Sequence, residues 1–248
     1  MRRPGAQLPP ALCEVSFRLA RGGLLGLVGA SGSGKTTLAR CLSLAEPPDS
    51  GRVLLGGRDL WAAGRRERTL LRWRIQLIPQ QPAASLNPRF TAAEVVTEPL
   101  AIQKRGTPAD RRRIAARWME TLGLPPDALG RRALEFSGGE RQRLAIARAL
   151  VLEPDLLILD ESFAGLDLSV QGQIARLLRE LCDQRRLAAI VITHDLALAA
   201  SLAGEIAVMD AGSLVESGPP AQIIAHPCHQ RTRELLDAAI ALSLPEPA

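Results

Sequence analysis

Residues Leu24 to Thr37 read LLGLVGASGSGKTT, and this stretch decides the fold. The apolar run Leu24–Val28 has the length and composition of a buried parallel strand. It ends in Gly29-x-x-x-x-Gly34-Lys35-Thr36, the spacing of a loop that wraps the phosphates of a nucleoside triphosphate. Glycines let such a backbone turn tightly, so that its N–H groups point inward at phosphate oxygens. The expected cradle is Gly29, Ala30, Ser31, Gly32, Ser33, Gly34, Lys35, Thr36 and Thr37. Lys35 brings a point charge to the β- and γ-phosphates, and Thr36 brings a hydroxyl ligand for Mg²⁺. Leu38, Ala39 and Leu42 continue as a helix whose N-terminal dipole also favours the anion. A glycine-rich turn with a chance lysine is the plain alternative; a strand before and a helix after argue against it.

Bulk composition narrows the classes. A chain of 248 residues fits one large domain or two small ones and can bury a substantial core. Hydrophobic content of 46% with 23% charged residues is ordinary for a globular protein. No apolar run reaches the roughly 20 residues that span a bilayer, and no signal peptide is visible, which points to the cytosol. The cysteines Cys13, Cys41, Cys182 and Cys228 are far apart, so neither a disulfide framework nor a zinc finger is suggested. The net charge of +5 raises the possibility of nucleic acid or an anionic membrane. The arginines are nevertheless dispersed among acids, tyrosine is absent and aromatics are 3%. Base stacking has no platform, so a solvated basic surface and no nucleic-acid partner are expected.

Outward from the loop, residues 15–19 and 53–55 read as strands that form, with Leu24–Val28, a sheet around the start of the loop helix. Gly51, Gly56 and Gly57 mark turns between them. From 92 to 152 apolar residues recur at helical spacing (Ile114, Trp118, Leu122), and Pro99, Pro108, Pro125 and Pro126 are read as interruptions between short helices. Strand character returns at 156–159, Ala188–Thr193 and 206–209. Between the first two lies a helix with Val170, Ile174, Leu177, Leu178 and Leu181 on one face. Such alternation predicts a parallel sheet with ligands at the strand C-terminal ends. The tail reads as one helix over 231–242.

Two further constellations carry chemistry. Leu156-Leu157-Ile158-Leu159 runs into Asp160 and Glu161. Asp160 is placed to hold Mg²⁺ and Glu161 to polarise an attacking water; taken alone, the pair also suits a helix cap. Ser137-Gly138-Gly139-Glu140-Arg141-Gln142 opens an amphipathic helix and offers a hydroxyl and bare N–H groups, a second anion site. One chain has no need of two triphosphate sites, which suggests that this one serves a nucleotide held by another subunit.

The loop, SGGERQR, LLILDE, Phe163-Ala164-Gly165-Leu166-Asp167 and Ile192-Thr193-His194-Asp195 occur in the order and spacing of ATP-binding-cassette ATPases. The chain resembles that family over nearly its whole length. The resemblance implies an α/β fold: a P-loop NTPase core with a parallel sheet, an N-terminal antiparallel β element and an inserted α-helical subdomain. It places 1–248 in a single cassette, with 1–90 and 153–248 as core and 91–152 as the helical subdomain. It implies ATP and Mg²⁺ as cofactors and a head-to-tail homo- or heterodimer with two ATP molecules between the subunits. Ser137 and Gly139 would contact the partner's γ-phosphate and Asp167 would lie at the dimer contact. His194 would be a switch near the γ-phosphate, and Gln80 would link Mg²⁺ and water to a membrane subunit. The implied partners are a second ATPase subunit, two membrane permeases and, indirectly, a solute-binding protein. The implied location is the cytoplasmic face of the membrane, as a peripheral subunit.

Pro82-Ala83-Ala84-Ser85-Leu86-Asn87-Pro88-Arg89 is similar to the segment typical of dipeptide, oligopeptide and nickel importers. His226-Pro227-Cys228-His229, followed by Arg231-Thr232-Arg233-Glu234-Leu235-Leu236, resembles a changed form of their C-terminal histidine-proline-tyrosine motif. His226, Cys228 and His229 are too close in sequence to close a tetrahedral metal site alone. Relatives usually stack adenine on an aromatic upstream of the first strand. Here nothing aromatic precedes Phe17: either Arg2 or Arg3 stacks on adenine instead, or adenine is held weakly, or the true start lies upstream. Phe136 before the serine, and Ser162 and Phe163 after the catalytic glutamate, depart from the common residues without touching the phosphate chemistry. The resulting expectation is an ATP-hydrolysing subunit that energises an importer of peptides or nickel. The alternatives are a soluble cassette ATPase of a phosphonate-degrading assembly and a nucleic-acid or ribosome-associated cassette. The segment after Gln80 favours the importer over both.

Overall fold

The computed structural model describes residues 10–163 and 165–243. A six-stranded sheet is built from β1 (Leu24–Val28), β4 (Ile75–Ile78), β5 (Leu156–Asp160), β6 (Ala188–Thr193), β7 (Glu205–Asp210) and β8 (Ser213–Gly218). Their order across the sheet is β4-β5-β6-β1-β7-β8. Every pairing is parallel except β7 with β8, which is antiparallel. β1 is buried along its whole length and β5 and β6 nearly so, as their unbroken Leu/Ile/Val runs require. A separate antiparallel pair, β2 (Leu54–Leu55) and β3 (Arg58–Asp59), supplies the expected antiparallel element.

Residues 15–19 form no strand, contrary to the sequence reading. The alternation behind that reading is real: Val15, Phe17 and Leu19 are part-buried against the core while Ser16 and Arg18 are exposed. The segment nevertheless takes part in no sheet ladder among the described residues, and an apolar/polar period alone does not make a strand.

Helix α1 (Lys35–Leu42) leaves the phosphate-type loop, and α2 (Arg65–Arg74) precedes β4. Between β4 and β5 run α3 (Ala92–Ile102), α4 (Pro108–Thr121) and α5 (Gly138–Leu150), with α3 packed on both others. Pro108 is the first residue of α4, where its missing N–H costs nothing. Pro99 does not interrupt α3 as expected but lies inside it, buried in the helix–helix core. One forfeited main-chain bond is offset there by apolar packing. α6 (Leu168–Arg185) buries the predicted stripe, with Ile174, Leu178 and Leu181 in the core. α7 (Leu196–Leu202), α8 (Pro220–Ala225) and α9 (Gln230–Ser243) complete the chain, α9 covering the predicted tail helix. Arg2 and Arg3, one of the alternatives for holding adenine, lie outside the described residues.

Candidate active site at the strand ends

Strand order assembles the site. β4, β5, β6 and β1 are consecutive and parallel, so their C-terminal ends lie side by side, about 4.8 Å apart. From these ends leave, in order, Gln80, then Asp160 with Glu161, then His194, then the loop 29–34. Residues separated by more than a hundred positions thereby share one edge.

The loop is shaped by close approach. A Cβ at Gly29 would stand 2.2 Å from the Met209 carbonyl oxygen of β7, so no other residue fits. Gly34, at φ 103°, caps α1 without a side chain; a Cβ there would meet the Ala11 carbonyl at 2.5 Å. Lys35 is 5% exposed. Its Nζ donates to the carbonyls of Gly29 and Ala30, each at 2.8 Å, and to Ser33 Oγ at 3.3 Å. Burial pushes the Lys35 ammonium below its usual range, while the carboxylates of Glu161 and Asp160 pull it back up.

Asp160 is buried, and burial raises its carboxyl above the usual carboxylate range. A hydrogen bond from the Thr36 hydroxyl opposes this shift. Its Oδ1 has no hydrogen-bond partner among the described residues. A buried carboxylate with one unused oxygen beside a threonine hydroxyl is a hard-oxygen donor set of the kind Mg²⁺ takes, so these residues fit the ion. Glu161 follows in the left-handed region, at φ 47°. Its N–H is tied to the Ile192 carbonyl of β6 at 2.9 Å. Such a conformation is rare for a side-chain-bearing residue and persists only where neighbours hold it. The Gln80 Nε2 donates to Glu161 Oε2 at 2.8 Å. Lys35, Thr36, Gln80, Asp160 and Glu161 are therefore one connected group.

Ser137 and Gly139 stand at the start of α5 and share no hydrogen bond with that group among the described residues. Ser137 Oγ accepts from the Glu140 N–H at 3.3 Å, and Glu140 Oε2 accepts from the Ser137 N–H at 2.8 Å, a complete capping box. His194 is exposed just beyond β6. Asp195 caps α7 through the Leu198 N–H, and Asp167 caps α6 through the Val170 N–H.

Two contacts escaped the sequence reading. Ser162, 1% exposed, has its hydroxyl 3.0 Å from the Ile78 carbonyl and 3.2 Å from that of Asp160, bridging the ends of β4 and β5. Its signal was a small polar residue directly after the acidic pair. Glu216 of β8 accepts from the N–H groups of Cys228 and His229, each at 2.9 Å, and from the Thr232 hydroxyl at 2.6 Å. The histidine-proline segment thus holds a carboxylate and docks α9. No signal in the sequence pairs Glu216 with residues a dozen or more positions away.

Residues 12–164 match the ABC transporter family. The chain belongs to that family. Over 227 residues the cassette is 44% identical to a Brucella ovis ATP-binding protein named for peptide import, covering 92% of this chain and 72% of the relative. It is 40% identical over 237 residues to the di/tripeptide transport ATP-binding protein of Pseudomonas aeruginosa, covering 96% of this chain and 73% of that one. Among solved structures, a dimeric ATP-binding cassette in a post-hydrolysis state bound to ADP and Pi matches with a TM-score of 0.80 at 27% identity. The match covers 88% of this chain and 94% of that one. The resemblance drawn from five ordered motifs is borne out at the level of family and fold.

Proposed function

We propose that this cassette hydrolyses ATP to drive import of peptides through separate membrane subunits. The observation that carries the reading is the convergence of Lys35, Thr36, Gln80, Asp160 and Glu161 at one sheet edge. The cassette's relatives are named for peptide and di/tripeptide transport, which supports peptides rather than nickel as the solute. Lys35 takes the β- and γ-phosphates, exchanging its loop carbonyls for phosphate oxygens. Glu161 accepts the proton of the attacking water, and Gln80 orients that water from the carboxylate's other side. Thr36, Asp160 and the Gln80 amide oxygen would hold Mg²⁺, which neutralises phosphate charge when bound. His194 faces the γ-phosphate as a switch. Ser137 and Gly139 serve the nucleotide of a second cassette, and two copies of this chain suffice to build both sites.

Residues 91–152 act as a helical subdomain against a core of 1–90 and 153–248. Among the described residues no helix is long and apolar enough to cross a membrane. In this reading the cassette works as a peripheral subunit under two permeases, on the cytoplasmic face. The test is Glu161→Gln. Turnover should fall about 10²–10³-fold, because an amide accepts no proton, with ATP affinity held within about twofold. Parental turnover in that variant would remove Glu161 from the role of base.

A further inference from the structure

Gln80 is exposed, on an irregular stretch between β4 and the 3-10 turn Pro82–Ser85, yet its amide sits on Glu161 at 2.8 Å. A loop side chain keeps one place only when its backbone is tied, since free loop residues carry large conformational entropy. On the upstream side the tie is the buried hydroxyl of Ser162 on the Ile78 carbonyl. On the downstream side it is Arg148, on the last turns of α5. Its Nη1 donates to the Ser85 carbonyl at 3.1 Å and its Nη2 to the Ser85 hydroxyl at 3.0 Å. This two-pronged grip suits a planar guanidinium and not an ammonium. Nη1 also reaches Glu98 Oε2 of α3 at 3.3 Å, which fixes the guanidinium's direction. Ser85 Oγ donates to the Pro82 carbonyl at 2.6 Å and the Ala84 N–H to the Gln81 carbonyl at 3.1 Å. Tension on Ser85 therefore reaches Gln81, beside Gln80.

We propose that Arg148 is a positioning residue for ATP hydrolysis, gripping Ser85 so that the strap 81–85 sets Gln80 against Glu161. The inference rests on the roles given above to Gln80 and Glu161. It also joins two parts of the cassette. Arg148 and Ser137 are borne by the same helix, about 16 Å apart along its axis at 1.5 Å per residue. A partner cassette that displaces the Ser137 end of α5 pulls on the strap at the other end.

The experiment compares Arg148→Ala, Arg148→Lys, Ser85→Ala and Gln80→Ala in the full chain, with each of the first three also built on Gln80→Ala. Phosphate release gives kcat and KM for ATP, and hydrogen exchange of the nucleotide-free protein reports the backbone of 81–86. Arg148→Ala and Arg148→Lys should each lower kcat about tenfold, with KM within about twofold, and Ser85→Ala about threefold. All three should speed exchange in 81–86, and none should slow turnover further on the Gln80→Ala background. Arg148→Lys keeps the charge facing Glu98, so a role limited to joining α5 to α3 would be rescued by lysine. Full rescue of kcat by lysine, unchanged exchange in 81–86, or losses that add to that of Gln80→Ala would each overturn the proposal. Ser85 is exposed, so its variant keeps the test open even if Arg148→Ala fails to fold. Should Gln80→Ala alone turn over at the parental rate, the role of Gln80 falls, and with it this route. Should Gln80→Ala be slow while the other three are parental, only the Arg148 assignment falls.

Discussion

Two helices of this cassette begin on an anion-binding pattern, and their ends are finished in opposite ways. α1 starts after Gly34, in the left-handed region, with no side chain on its free N–H groups. α5 starts at Ser137 with both halves of a capping box made, so the Glu140 carboxylate already holds the Ser137 N–H. The first end is unfinished without a ligand, and its neighbours carry the cost. Lys35 and Asp160 are both pushed towards their neutral forms by burial. The second end costs nothing while empty, and a phosphate arriving there competes with Glu140. In the reading proposed above, this difference suits one end to binding nucleotide on its own and the other to staying satisfied until a second cassette presents one.

The strongest way to break this comparison is Lys35→Ala. Loss of charge-assisted bonds to phosphate should weaken ATP binding about 10–100-fold by calorimetric titration, at roughly 1.4 kcal/mol per decade. Undiminished affinity would mean that α1 and its loop are not the nucleotide's own site. Ser137→Arg comes next. It puts bulk and positive charge on the α5 end, so ATP affinity of the single cassette should stay within about twofold. ATP-driven dimers on a Glu161→Gln background should vanish from size-exclusion profiles. Equal loss of affinity would show that Ser137 serves its own chain.

The smallest effect sharpens the cost side. The folded pKa of Asp160 is raised, so the folded state is penalised for ionising it once pH exceeds the usual value of 3.8. Asp160→Asn should therefore stabilise the nucleotide-free protein at neutral pH by about 1 kcal/mol, a rise in Tm of roughly 2–4 °C. The gain should shrink as pH falls towards the unfolded-state value. A lower Tm for the asparagine variant at neutral pH would mean that the ionised carboxylate stabilises the fold.

What was legible in the sequence follows the same divide. The loop, the acidic pair and the strands beneath them were readable because short apolar runs, glycines and carboxylates carry local signals. Strand order then brought Gln80 and Glu161 together, 81 positions apart. Residues 15–19 misled because an apolar/polar period states which side faces the core, not whether a neighbour supplies hydrogen bonds. Pro99 misled because local propensity cannot weigh the tertiary packing that keeps α3 whole. The Arg148–Ser85 and Glu216–Thr232 contacts were invisible, since a charged residue shows no preference in sequence for a partner that only the fold delivers.

The most direct test of the account mixes two disabled chains. Lys35→Ala keeps a sound α5 end and loses its loop; Ser137→Arg keeps a sound loop and loses its α5 end. Each alone should be nearly inactive. In an equal mixture each dimer of one chain with the other contains one whole site out of two, so phosphate release should rise well above that of either component, to at most about half of the parental rate. A mixture no more active than its components would contradict the claim that the two helix ends work across a pair of cassettes.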